Sequence, residues 1–311
     1  MRARCARHRF LEPNPRQAPR TCRPAVTYFL KREWFKIYDG VTTRDFRLIL
    51  GLGNAVRFCA DFQFYELWYN KPMTEREGSK VDLLGYEALR TFALAHNYNK
   101  WIYELFKDYT AGKTVLEIGC GIGNLTQYFL KSAARVIGID TSSFFIQHLQ
   151  IDCPGVEIHN FDISDDKVAA LAGSKIDTVV SVNVLEHVRD DEKALRNINA
   201  LLQPGGRLLL FVPALNWLFG TLDENVGHYR RYGRKDLSAK LERSGFAVER
   251  AFYSNFLGIF GWFLNGRIFK RKEFPILQPI IFDKFVPLIS RIESRLRPPL
   301  GMNLIIIARK K

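Results

Sequence analysis

The chain has 311 residues, of which 47% are hydrophobic and 25% charged, and a net charge of +14. That length and apolar content suit one large α/β domain with appendages, or two small domains. The five cysteines (Cys5, Cys22, Cys59, Cys120 and Cys153) are odd in number and form no CxxC pair, which argues against a disulfide framework or a zinc site and fits a reducing, cytoplasmic compartment. No apolar run reaches the 18 or so residues of a spanning helix.

The charge is uneven. Residues 1–72 and 251–311 each carry about +8, whereas residues 73–250 carry about −2. Basic flanks interleaved with aromatics suit an anionic membrane surface or an acidic partner, so a peripheral position on a membrane is one expectation.

Residues 1–25 are rich in Arg and Pro and lack an apolar h-region, so they read as a disordered basic extension and not as a secretory signal. Residues 26–72 are amphipathic and aromatic, with Trp34, Phe35, Phe62 and Trp68 among them, and 73–80 form a polar linker. From 82 to 109 the apolar spacing is helical, with Asn97 as a break. An alternation follows. Strands are expected at 114–118, 135–139, 156–160, 176–182, 206–212, 246–251 and 304–308, and helices at 124–132, 142–151, 164–171, 191–202 and 235–244. Strands alternating with helices of about ten residues imply a doubly wound, mostly parallel sheet with helices on both faces. The core is then 81–252, with 303–311 supplying the last strand and a basic tail. Between the last two strands lies an aromatic and basic insert, 253–302, read as a lid, a dimer face or a membrane-surface element.

The strongest motif is Glu117-Ile118-Gly119-Cys120-Gly121-Ile122-Gly123, an apolar strand running into a glycine turn and then a helix. Glycines let backbone approach a ligand closely. The spacing is GxGxG, so the third glycine of a dinucleotide fingerprint is missing. Glu117 would repel a pyrophosphate and would suit a cationic ligand such as a sulfonium carrying an ammonium group. That argues against a nicotinamide dehydrogenase. Asp140 ends the next strand, where a carboxylate accepts both ribose hydroxyls or caps the following helix. Asp162, ending the third, is placed to accept from an adenine amino group, with Ile163 against the ring.

With these elements in order, residues 98–212 resemble class I S-adenosylmethionine-dependent methyltransferases, and within them the small-molecule ubiquinone and menaquinone methylases. The resemblance implies a Rossmann-like seven-stranded sheet whose last strand, here 304–308, is antiparallel, and S-adenosyl-L-methionine as cofactor. It implies that Glu117, Gly119, Cys120, Gly121 and Gly123 line the methionine end, Asp140 and Thr141 the ribose, and Asp162 and Ile163 the adenine, with Asn183 against the methionine part. Some quinone-pathway relatives carry a carboxylate where Asn183 stands, so no metal is expected here.

His187, after the fourth strand, and His228 are candidate bases for a hydroxyl nucleophile. His228, Tyr229, Arg230 and Arg231 stand in a row in the loop 216–233, where two guanidinium groups would orient an anionic acceptor. The expected reaction is O-methylation of a small-molecule or lipid-linked acceptor. Alternatives are a protein or nucleic-acid methyltransferase, or a scaffold that keeps the fold without catalysis. Nucleic acid is not expected as a partner. The core is not basic, and the Asn/Asp-Pro-Pro-Tyr/Phe motif used on base amino groups is absent after the fourth strand. The intact glycine motif argues against a scaffold.

Overall fold

The computed structural model describes residues 80–271 and 277–311. The expectations for 1–25, 26–72 and most of the linker lie outside the described residues, as do residues 272–276 of the insert.

Seven strands form one sheet: β1 (Thr114–Ile118), β2 (Arg135–Asp140), β3 (Glu157–Asn160), β4 (Ile176–Val182), β5 (Leu202–Pro213), β6 (Phe246–Ser254) and β7 (Asn303–Lys310). Their order is β3-β2-β1-β4-β5-β7-β6. Pairs among β1 to β5 are parallel, whereas β7 runs antiparallel to both β5 and β6. The expected doubly wound sheet with an antiparallel last strand is therefore what the chain forms.

Strand side chains alternate between faces. On β1, Leu116 and Ile118 enter one core with Ile137, Ile139, Val179 and Leu210, while Val115 enters the opposite core with Val136, Val180 and Leu209. Both faces are dry, which is why these strands read as continuous apolar runs. Full burial of each such side chain contributes roughly 1.5–3 kcal/mol before entropy is charged against it. The first face is covered by α5 (Asp191–Leu201) and α7 (Arg234–Arg243), and the second by α2 (His96–Thr110), α3 (Thr126–Phe129) and α9 (Leu277–Leu296).

Several boundaries differ from the sequence expectation. The break between α1 (Lys80–Ala93) and α2 falls at Leu94 and Ala95 and not at Asn97. Asn97 lies inside α2, where its side-chain amide donates to the backbone oxygen and carboxylate of Asp283 on α9, each at 3.1 Å. The helix expected at 124–132 contracts to the four residues of α3, and the one at 164–171 is a 3₁₀ segment, Asp166–Ser174, capped by Asp165. Strand β5 begins at Leu202, ahead of the Pro204-Gly205-Gly206 turn, because Leu202 pairs with Ile176 before a register shift.

The insert is helical. It holds α8 (Gly258–Phe263), a π-helical turn (Leu264–Ile268) and α9. Val286 and Ile289 anchor α9 against the sheet side. Among the described residues, no helix is long and apolar enough to cross a membrane.

Candidate active site

Strand order reverses between β1 and β4, and the carboxyl ends of strands at such a switch point frame a ligand crevice. The glycine turn leaves β1 at this place. Gly119, Gly121 and Gly123 all have positive φ, at 70°, 52° and 88°. A Cβ on Gly119 would lie 2.3 Å from Val184 Cγ2, so both the backbone angle and the space demand glycine there.

The turn is pinned from behind. The amides of Gly119 and Cys120 donate to the Ile139 carbonyl, and the Gly121 amide donates to Asp140 Oδ2 at 2.8 Å. The other Asp140 oxygen accepts from the Ser142 amide at 2.9 Å. Asp140 thus holds the loop and caps the approach to α4 (Ser143–Asp152) from a nearly buried position. Glu117 is also buried and accepts from the Thr126 hydroxyl at 2.6 Å. Burial pushes its carboxyl up to about 8; the Thr126 hydrogen bond opposes the rise and the charge of Asp140 adds to it. Two carboxyl groups beside a glycine turn fit an incoming ammonium and ribose hydroxyls. These residues therefore match the sulfonium cofactor implied by the sequence.

The other residues expected at the cofactor take varied positions. Cys120 turns its thiol toward Gly138 of β2 and is buried there, so it meets the loop's ligand side through backbone alone. Burial raises its thiol far above the ordinary range. Ile163 lies in the core and is not an exposed platform for a ring. Asp162 is exposed and accepts through Oδ1 from the amide and hydroxyl of Ser164. Thr141 is exposed beside Asp140. Asn183 follows β4 with φ 52°, a left-handed conformation that asparagine tolerates, and this turns the chain into the 3₁₀ segment Leu185–His187.

That segment carries the second half of the site. Glu186 is fully buried, and among the described residues no side chain or backbone group forms a hydrogen bond to either carboxylate oxygen by distance and angle. Burial pushes its carboxyl up to about 8, with the Arg231 charge a smaller opposing influence. The His228 Nε2 atom lies 3.8 Å from Glu186 Oε1, and the rings of His187 and His228 meet edge to face at 4.6 Å. The donor atoms of Glu186, His187 and His228 all fall within 4.8 Å of one another. Two imidazoles and a carboxylate are also donors that a divalent cation accepts, a set that the expectation of no metal overlooked.

Behind His228 stands Asp223, on α6 (Thr221–Asn225). It accepts from His228 Nδ1 at 2.8 Å, Arg231 Nε at 2.8 Å and Trp262 Nε1 at 3.0 Å. Burial raises the Asp223 carboxyl, but His228 and Arg231 outweigh it and hold the group below the usual carboxylate range. Arg231 is itself buried, donates to the Ala214 carbonyl at 2.9 Å and stacks on Trp262 at 4.8 Å. Arg230 pairs with Asp191 at 2.9 Å. The expected pair of acceptor-binding guanidiniums is thus split: Arg231 is buried on Asp223, and the half-buried Arg230 is held by Asp191 and the Arg189 carbonyl. Tyr229 is likewise no part of the cluster. Its ring is exposed between Arg189 and Arg230, and only its backbone amide reaches the site, bonding the Glu186 carbonyl.

A family described as a methyltransferase domain matches residues 90–251, just over half of the chain. The chain belongs to this family. The methyltransferase domain is of class I, with S-adenosylmethionine as the family's cofactor. A Mycolicibacterium smegmatis protein named a probable S-adenosylmethionine-dependent methyltransferase is 30% identical over 150 residues, covering 48% of this chain and 57% of that protein. A ubiquinone biosynthesis O-methyltransferase of Coxiella burnetii is 29% identical over 119 residues, covering 38% and 47%. The chain spans about half the length of the curated relatives it matches. Among solved structures, a chain of the complex between the Haloferax volcanii Trm112 methyltransferase activator and a methyltransferase superposes with a TM-score of 0.54 at 15% identity, covering 75% of this chain and 98% of that one. A Thermotoga maritima S-adenosylmethionine-dependent methyltransferase superposes at 0.51 and 18% identity, covering 74% and 97%. At these identities the likeness is one of fold.

Sequence reasoning missed four contributors. Thr126 lies three residues beyond the glycine motif, and nothing in the sequence sets it apart. Val184 and Leu89, which would crowd a Cβ on Gly119 and Gly121, carry no signal of their own. Trp262 lies 39 residues from Asp223, and only the fold brings them together.

Proposed function

We propose that the chain transfers a methyl group from S-adenosylmethionine to an oxygen of a small or lipid-linked acceptor, with His228 as the base. The observation that carries this reading is the Asp223–His228 pair opening onto an unpartnered Glu186. Hydrogen bonding of His228 Nδ1 to Asp223 favours the tautomer with the proton on Nδ1 and leaves Nε2 as acceptor. An acceptor hydroxyl would hand its proton to Nε2, and Asp223 would steady the imidazolium that results. Glu117 and Asp140 would hold the cofactor's ammonium and ribose, and Asn183 would border its methionine end. When bound, the cofactor supplies the electrophilic methyl group. The chain's own task is to align the nucleophile in line with it and to exclude water. The ubiquinone O-methyltransferases among the relatives support oxygen as the methylated atom.

The test is transfer of labelled methyl from S-adenosylmethionine to fractionated lipid and small-molecule extracts, with the parent and with His228→Ala. Transfer to a fraction that releases label under conditions that cleave methyl ethers or esters supports the reading. A folded, cofactor-binding parent that labels only nitrogen, protein or nucleic acid refutes it.

A further inference from the structure

We infer that the insert between β6 and β7 docks the protein on an anionic lipid surface through the outer face of α9. This goes beyond methyl transfer and does not depend on it. Of the nineteen large hydrophobic side chains exposed among the described residues, thirteen lie between 253 and 302. Scattered exposed apolar residues are ordinary, but a concentration of this kind in one short segment marks an interaction surface.

The pattern on α9 is regular. Ile281, Phe285, Leu288, Ile292 and Leu296 are all exposed, at steps of four, three, four and four residues. Those steps put them on one exposed stripe, with the buried Ile289 at its border and the buried Val286 turned further toward the sheet. The stripe continues into the start of the insert. A largely apolar groove is lined by Phe256, Leu257, Ile289, Ile292, Leu296 and Pro298 together with the inward-bonded Glu293, so the C-terminal half of α9 and the approach to α8 form one surface. On α8, Phe260 and Phe263 are exposed as well.

Charge selects the occupant. The two acids of α9 both bond inward: Asp283 accepts from the Tyr98 amide at 2.8 Å, and Glu293 accepts from the amides of Asn255 and Phe256, each at 2.8 Å. The cations Lys284, Arg291, Arg295 and Arg297 are exposed along the helix and just beyond it. Beside its apolar stripe, the fully exposed charged residues of α9 are therefore all cations, and its 20 residues are too polar to span a bilayer. An apolar stripe with flanking cations is the signature of a helix lying in the headgroup plane of an anionic leaflet.

Co-sedimentation of the full chain tests this, with vesicles of phosphatidylcholine alone and vesicles containing phosphatidylglycerol. Binding should require the anionic lipid and weaken with salt. Arg291→Gln with Arg295→Gln should lower the partition coefficient ~30-fold. Phe285→Ser with Ile292→Ser should lower it at least ~10-fold. Because all four side chains are exposed, these variants should fold and bind S-adenosylmethionine like the parent, so loss of docking is separable from failure of the methyl-transfer reading. Folded protein that ignores anionic vesicles at low salt overturns the inference, as does vesicle binding that both variants leave intact. A concentration-dependent dimer that Phe285→Ser with Ile292→Ser dissociates, in the absence of vesicle binding, assigns the face to a second copy of the chain and equally overturns it.

Discussion

Glu186→Gln should reshape how stability depends on pH. The carboxyl titrates at 4.5 when exposed and at about 8 in the folded protein. Below pH 4.5 it is protonated whether the chain is folded or not, and its ionisation has no effect. As pH rises, the unfolded chain releases the proton while the folded chain retains it, so folding loses ground until about pH 8. Each pH unit in that window costs up to about 1.4 kcal/mol, and because Arg231 and the two histidines lie near, a total of roughly 3 kcal/mol is the expected scale. Glutamine keeps the shape and removes the titration. It also leaves a buried amide short of partners, at a cost of roughly 1–3 kcal/mol that does not vary with pH. The quantity to measure is the unfolding free energy of Glu186→Gln minus that of the parent, from urea curves at several pH values. The difference should climb by roughly 3 kcal/mol between pH 5 and about 8. A difference that stays flat would show that Glu186 is ionised and partnered in solution, by water or a cation, and would refute the reasoning.

The other predictions are more local. Asp140→Ala should weaken S-adenosylmethionine binding by roughly 1.5–3 kcal/mol in calorimetry, the scale of a charge-assisted hydrogen bond, and unchanged affinity would mean that the ribose lies elsewhere. Gly119→Ala should abolish cofactor binding through its clash with Val184, and Gly119→Ala with Val184→Ala should recover it only in part because the positive φ still costs about 1–2 kcal/mol. His228→Ala should lower turnover and leave cofactor affinity nearly unchanged; an equal loss of both would remove it from the acceptor side. Asp223→Ala should destabilise the fold by about 3–5 kcal/mol in thermal or urea unfolding, since it strands the buried Arg231 without its partner, and Asp223→Ala with Arg231→Met should restore much of that.

The strands were readable because each is a short apolar run bounded by turn residues, and burial on both faces makes that run continuous. The cofactor half was readable for a related reason: Glu117, the three glycines and Asp140 sit at strand ends, where chain order and spatial order coincide. The acceptor half was not. A run of His, Tyr and two Arg says nothing about direction, and Asp223, Trp262 and Asp191 decided which of those side chains turned inward. Asp191 meets Arg230 and Trp262 meets Arg231 from elements that only tertiary packing joins. The same holds for the helix break, where Asp283, 186 residues away, engages Asn97 and keeps it helical.

One feature of the sheet bears on how the chain can be made. The latest strand in chain order, β7, is not at an edge but between β5 and β6. Until Asn303–Lys310 has been synthesised, β5 has one unpaired flank and β6 has no neighbour in the sheet at all. Both therefore present open backbone edges during translation, the surface on which strands of separate chains join. The two helices of the insert must also be made before the sheet can close, so the interval is long. Chains cut short before residue 303 should accumulate as aggregates and not as a loosened version of the domain, and a chaperone that masks strand edges should matter more for this protein than for one whose last strand caps the sheet from outside.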